Sequence, residues 1–412
     1  MSVKIIIPIV KKRPNLTSHI SHLTSNYYFA PMQFKHIVGQ AAIKQRLITS
    51  VRENRVSHAQ LFLGPEGSGS LALAVAYAQY LCCLDRQEDD SCGECSSCRK
   101  YQKLMHPDLH FSYPFFAKHK EDTAVTFIEQ WREAFLSNPY LGLDNWRGYL
   151  DADNKQANIN IAECHQIIKK LSLKPFESDY KVLILWLPEY LDKEGNALLK
   201  IIEEPQPNTL FILVAQNQDQ ILNTILSRTQ LTKIVAPTFE EVKQYLIAEH
   251  NQTEHEASQM AYLCNGNVNE ATMMLQQGNK SYHTLFVQWL RLCFGNKGIE
   301  LVGFVEQLAK LGRENQKNFI RYGISFMREC GLLLAGAGEL VRLPAAELET
   351  AQKMSAILNL NSVEAISGAL EKAHYHVERN ANPKIMFLDV SLQIVGFLKL
   401  KPTPAGDQYI SR

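Results

Sequence analysis

The spacing of apolar positions changes character partway along this chain. From about residue 43 to 236, short apolar runs alternate with segments of helical period. "AQLFLG" (59–64) has strand length, and Leu71, Ala74, Val75, Ala78 and Leu81 then recur at helical spacing, which predicts a helix packed on a sheet. "DLHFSY" (within 106–114), "KVLILWLP" (181–188), "TLFILVAQ" (209–216) and "LTKIVA" (231–236) read as further strands. Helical patterns lie between them at 43–51, 125–136 and 159–171, and "GNALLKIIEEP" (195–205) reads as a helix stopped by Pro205, because proline disfavours helix in the residue before it. Strands alternating with helices predict an α/β fold, a parallel sheet with helices on both faces.

From Thr238 onward the strands stop. The pattern predicts a core over 32–237, a small helical domain over 238–280 and an all-α domain over 281–400. In the last of these, Ile385, Leu388, Leu392 and Val395 form one apolar stripe, read most simply as core and more sharply as a groove for a partner. Residues 1–31 show no sustained period and are rich in Ser, Thr, Asn, Lys and Pro, so a poorly ordered extension is expected there, with a tail at 401–412. Met32 opens the folded pattern and is a candidate start. Residues 115–157, with Trp131 and Trp146, break the alternation and read as an aromatic insertion.

Length allows two to four domains, and a formal net charge of +1 argues against a generic polyanion binder. The longest apolar runs, such as "VLILWL" (182–187), are far too short to span a bilayer, and "MSVKIIIPIVKK" lacks the length of a secretory signal. A cytoplasmic protein with no membrane association is expected. Of nine cysteines, Cys83, Cys92, Cys95 and Cys98 give C-x8-C-x2-C-x2-C. That spacing brings four thiolates onto one tetrahedral ion, a structural zinc site with no open position. Cys82 is the alternative first ligand, although spacing favours Cys83. A zinc ribbon that binds nucleic acid is a second reading, opposed by the acidic run "EDD" (88–90). Cys164, Cys264, Cys293 and Cys330 sit in apolar surroundings and read as buried inert thiols.

"LFLGPEGSGSLALAVAYA" (61–78) has the strand, glycine loop and helix of a phosphate-binding loop. Gly64 and Gly69 hold the two glycine positions of G-x-x-x-x-G-K-[ST], and Gly67 permits a tight turn. Ser70 stands where the Lys that neutralises β/γ-phosphates belongs, and Leu71 where a hydroxyl would hold Mg²⁺. The tip of "KVLILWLPEYL" carries Trp186 and Leu187 in place of an acid, and Glu189 lies past Pro188. These losses predict no ATP hydrolysis in cis, with weak anion binding to the backbone left open. By itself "GPEGSGS" reads first as a plain glycine-rich turn; the strand before it and the helix after it turn the balance toward a phosphate-type loop.

"IVGQAAIKQRL", "HAQLFLGPEGSGS", the cysteine cluster, "HPD", "NALLKIIEEP" and "ILSRTQ" occur in an order that resembles bacterial DNA polymerase III clamp-loader subunits of the AAA+ class. The resemblance is strong from Met32 to Pro237 and looser to Leu400. It implies an AAA+ core, a helical lid and a helical collar, in a ring that places a sliding clamp on primer–template DNA. Motor subunits (gamma/tau) keep the Lys and the acids; the delta-prime kind lacks them, and this chain resembles that kind. Asn269 in "GNVNEA" stands where motor subunits carry a nucleotide-contacting Arg. "SRT" (Ser227, Arg228, Thr229) matches the family's S-R-C, so the resemblance implies that Arg228, with Ser227, is an arginine finger for ATP bound to a neighbouring motor subunit. It also implies the delta subunit as a partner and supports the zinc assignment. A motor-type ATPase and a zinc-containing DNA-binding protein on an inactive AAA+ fold remain the alternatives.

Overall fold

The computed structural model describes residues 32–398 except 118, 120, 153–154, 278–281, 296, 342, 344 and 380. The extension expected at 1–31 and the tail at 401–412 lie outside the described residues. The chain divides into two compact units: one built from residues up to Ile37 with 41–64 and 69–233, the other from 38–40, 65–68 and Ile234 onward.

The first unit is a parallel sheet of five strands, β1 (Ala59–Leu63), β2 (Leu109–Ser112), β3 (Lys181–Trp186), β4 (Thr209–Ala215) and β5 (Gln230–Lys233), in spatial order β2-β3-β4-β1-β5. The register sets Leu61 opposite both Leu213 and Leu231, and Leu183 opposite Phe211. Every residue of β3 and β4 is buried, which is why these strands read as unbroken apolar runs and not as alternating ones.

Both faces are covered. On one, α2 (Ser70–Leu81), buried throughout, lays Tyr77 against Phe62, and the Tyr77 hydroxyl accepts from Gln60 Nε2 at 3.2 Å. On the other, Leu61, Leu183, Leu185 and Leu213 pack with Cys164, Ile167 and Leu171 of α6 (Ile161–Leu171). The outer helix α1 (Ala41–Arg52) precedes β1.

The helix expected over 195–205 is mostly something else. Residues Pro188–Leu198 wind as 3₁₀ turns interrupted at Asp192 (φ 46, ψ −144), and only α7 (Leu199–Glu203) is α-helical. Asp192 cannot continue a helical ladder in that conformation, and Asn196 Nδ2 donates to the Lys193 carbonyl, competing with the backbone pattern.

The aromatic insertion packs on its own sheet. A 3₁₀ turn at Ala124–Phe127 leads into α4 (Ile128–Ser137), and α5 (Leu143–Tyr149) follows. The order of helices before it is completed by α3 (Ser96–Tyr101), in the cysteine cluster. Trp131 stacks on Tyr113 at 4.0 Å between centroids and meets Trp146 edge-on at 5.4 Å. Two of the cluster's polar atoms are used: Tyr113 donates to the Ala124 carbonyl and Trp146 Nε1 to the Pro114 carbonyl, both at 2.7 Å.

In the second unit, α9 (Phe239–His250) and α10 (Glu254–Cys264) open with capping boxes, Thr238 with Glu241 and Thr253 with Glu256. α11 (Val268–Gln277) to α17 (Pro383–Phe397) follow, and Phe286, Trp289, Phe319, Phe326 and Phe387 centre an aromatic core. The stripe of Ile385, Leu388, Leu392 and Val395 is not its core face. Ile385 and Leu392 are exposed, and α17 buries Met386, Phe387, Val390 and Ile394 instead. This helix is apolar nearly all round, so spacing alone does not select the buried side, and the larger Phe387 stripe wins the core.

α6 is tied to the insertion through a fully buried acid. Glu163 Oε2 accepts the Ala124 amide at 2.8 Å, and burial raises the Glu163 pKa above its ordinary value. The folded chain therefore binds this proton more tightly than the unfolded chain, and its stability falls as pH rises from the ordinary carboxyl range through the raised value. Glu163→Gln keeps the acceptor and removes the charge. Melting curves across pH 4 to 8 are expected to show a higher midpoint for the variant at the alkaline end, converging with the parent at the acidic end.

Candidate functional site

The glycine loop follows β1, and its first amide, Gly64 N, donates to the Ala215 carbonyl at 3.1 Å. Gly67 and Gly69 adopt φ of 71° and 85°, the left-handed region that a tight phosphate-type turn requires. Within the helical unit, Asn267 lies against Gly67, its Oδ1 1.8 Å from where a Cβ would stand. Val268 N donates to the Gly67 carbonyl at 3.0 Å, and Asn269 Nδ2 to Glu66 Oε1 at 3.3 Å. Within the sheet unit, the Tyr140 ring from the insertion lies against Gly69, with Cε1 2.9 Å from a Cβ position. Gly64, Gly67, Ser68, Gly69 and Ser70 are all buried, and Leu71 is 4% exposed as a core residue of α2.

The charge around the loop is acidic. Glu66 belongs to the loop, and Glu270, one residue past Asn269, has its pKa raised first by burial and also by Glu66, against the pull of Arg321. Arg321 pairs with Glu270 and is thereby engaged away from the loop.

At the tip of β3 the tools for holding a metal are likewise replaced. Trp186 packs its ring 5.2 Å from that of Trp131 in the insertion. Leu187 takes a left-handed conformation (φ 54), unusual for a side chain of this size, with its amide on the Val214 carbonyl at 2.8 Å. Glu189 Oε1 accepts the Gln216 and Asn217 amides at 2.5 and 2.8 Å, so this carboxylate clamps the end of β4. Sequence reading sees Glu189 only as an acid out of place; its backbone role carries no local signature.

Arg228 follows the short helix α8 (Asn223–Leu226) and lies at the surface of the sheet unit. Its Nε donates to Glu203 Oε2 at 3.0 Å and its Nη1 to the Thr224 carbonyl at 3.0 Å. Ser227 Oγ accepts from Nη1 at 3.3 Å.

The four thiols expected to act together do so. Cys83 Sγ lies 3.6 Å from Cys92, 3.5 Å from Cys98 and 4.0 Å from Cys95, and Cys92 Sγ lies 3.9 Å from Cys98. Sulfurs around a tetrahedral ion with metal–sulfur bonds of about 2.3 Å stand ~3.8 Å apart, so the cluster can hold a metal ion such as zinc. Amides of Cys92, Cys95 and Cys98 donate to the sulfurs of Cys83, Cys92 and Cys95, the bonds that orient thiolates. The hydrogen bond from Cys98 lowers the Cys83 thiol to about 5 and in turn raises that of Cys98. Cys82 is elsewhere: its Sγ reaches the Tyr180 carbonyl at 3.8 Å, and burial pushes its thiol up to about 11. Cys83 is thus the first member of the cluster.

The parallel sheet and the glycine loop between β1 and α2 define an α/β protein with a P-loop-type turn. Residues 39–238 match the family described as DNA polymerase III, delta subunit. The chain is 26% identical over 233 residues to DNA polymerase III subunit delta' of Bacillus subtilis, covering 56% of this chain and 58% of that protein. Subunit delta' of Escherichia coli is 25% identical over 238 residues, 57% and 59% of the two chains. Subunit tau of Bacillus subtilis is 23% identical over 387 residues, 87% of this chain and 61% of that one. The chain thus spans about three-fifths of the length of these curated relatives.

Cys83→Ser and Cys82→Ser separate the neighbouring thiols. Elemental analysis of the purified full chain is expected to find one equivalent of metal in the parent and in Cys82→Ser, and a large loss in Cys83→Ser.

Proposed function

We propose that this chain is the non-hydrolysing, delta-prime kind of clamp-loader subunit, a stator that serves ATP hydrolysis from outside its own loop. The observation that carries the reading is the covering of Gly67 and Gly69 by the chain's own Asn267 and Tyr140. A phosphate-binding loop works through accessible amides at the head of a helix, and here that head is buried. Neutral Ser70 and apolar Leu71 offer a polyphosphate neither a countercharge nor a metal-binding hydroxyl. A motor-type subunit would need the opposite at each of these positions.

Arg228 is the group this subunit lends. A guanidinium is planar, permanently charged and able to bond bidentately, which suits the charge that spreads over a transferring phosphoryl group. Its surface position meets the requirement that a finger act on a neighbour's nucleotide. Ser227 supports its stem. The four thiols hold a structural zinc that organises the polar segment between α2 and β2. Within the helical unit, 238–280 acts as the lid and 281–400 as the collar of a ring. Its partners are gamma/tau motor subunits and a delta subunit, and through the assembly a sliding clamp and primer–template DNA in the cytoplasm.

The test is ATP hydrolysis by a clamp loader reconstituted with this chain. The isolated chain is expected to be silent. Arg228→Ala is expected to leave the assembly intact and to slow its turnover by at least about threefold, only one of several ATP sites losing its finger. Hydrolysis by the isolated chain, or an unchanged rate with Arg228→Ala, would overturn the reading.

A further inference from the structure

The Arg228 guanidinium has five N–H donors in one rigid plane. Nε is committed to Glu203 and Nη1 to Thr224 and Ser227. Nη2 makes no hydrogen bond among the described residues, so its N–H groups stand open. The plane is fixed from two directions. Thr224 and Ser227 belong to the segment that leads into Arg228, whereas Glu203 comes from the end of α7, which packs against α8.

Stability does not explain the pair. The Glu203 side chain is 57% exposed and that of Arg228 33%, and ion pairs this open to water add little to folding. A carboxylate at the C-terminal end of a helix, moreover, stands at the unfavourable pole of the helix dipole. What the contact does accomplish is orientation, because Arg side chains are otherwise free to sample many rotamers.

We propose that Glu203 is a positioning residue for Arg228. It holds Nε so that the unbonded Nη2 faces outward, ready for an oxyanion supplied by a neighbouring subunit. The proposal rests on the finger reading of Arg228 given above. Glu203 itself takes no part in the reaction; its carboxylate is held on Nε. Removing it would leave the charge of the finger intact and its aim lost.

The experiment compares Glu203→Ala, Glu203→Asp and Glu203→Gln in the reconstituted clamp loader, alone and combined with Arg228→Ala, with assembly checked by size exclusion. Glu203→Ala and the shorter Glu203→Asp are expected to lower kcat about three- to tenfold, with KM for ATP unchanged, as a lost orientation does. Glu203→Gln keeps an acceptor at the same reach and is expected to restore most of the rate. In the Arg228→Ala background, Glu203→Ala is expected to change nothing further. If Arg228→Ala slows turnover while Glu203→Ala and Glu203→Asp do not, the finger stands and the positioning role is wrong. If Glu203→Ala slows turnover equally in both backgrounds, Glu203 acts through something other than Arg228, and the proposal is again wrong. If Arg228→Ala has no effect, the finger reading fails and this proposal falls with it.

Discussion

The sheet unit depends on one aromatic contact set. Trp131 of the insertion is fully buried between Tyr113, which continues β2, and Trp186 at the tip of β3. Truncating a buried tryptophan typically costs about 3–5 kcal/mol, a large part of the stability of an ordinary domain. The insertion is therefore part of the core and not an appendage. It also delivers Tyr140 to the head of α2. The packing that stabilises the unit and the packing that sets Tyr140 against Gly69 are one arrangement.

Charge-handling groups follow the same logic. Where a phosphate loop needs a cation and a metal-binding hydroxyl, the chain places Ser70 and a core leucine. Where a strand-tip acid belongs, Trp186 turns inward, and the nearest acid, Glu189, is committed to two amides just past the end of β4. Each replacement converts a reactive position into a packing or clamping one. Arg228 is different. It keeps a permanent charge at the surface, with Nη2 unbonded among the described residues.

Much of this was legible in the sequence. Strands buried on both faces announce themselves as apolar runs, and β1, β3 and β4 fall where those runs do. The cysteine spacing located the thiol cluster, because i and i+3 thiols converge through local geometry alone. Spacing favoured Cys83 over Cys82, and the opposite directions of these adjacent side chains decide it. Less legible were contacts made at long range. Nothing near Asn267 or Tyr140 marks them as the residues that meet Gly67 and Gly69, and nothing in "EEP" marks Glu203 as the partner of Arg228. α17 shows the other limit: a helix apolar on nearly every side offers several stripes, and only the packed core chooses among them.

The central claim is that this loop is closed to nucleotide by the chain's own side chains. Calorimetric titration of Mg²⁺-ATP into the isolated chain tests it most directly. The account predicts no saturable binding up to about 1 mM ligand, the regime in which a binding free energy is only about −4 kcal/mol. Saturable binding in the micromolar range, lost when Gly69 is replaced by a bulky residue, would contradict it.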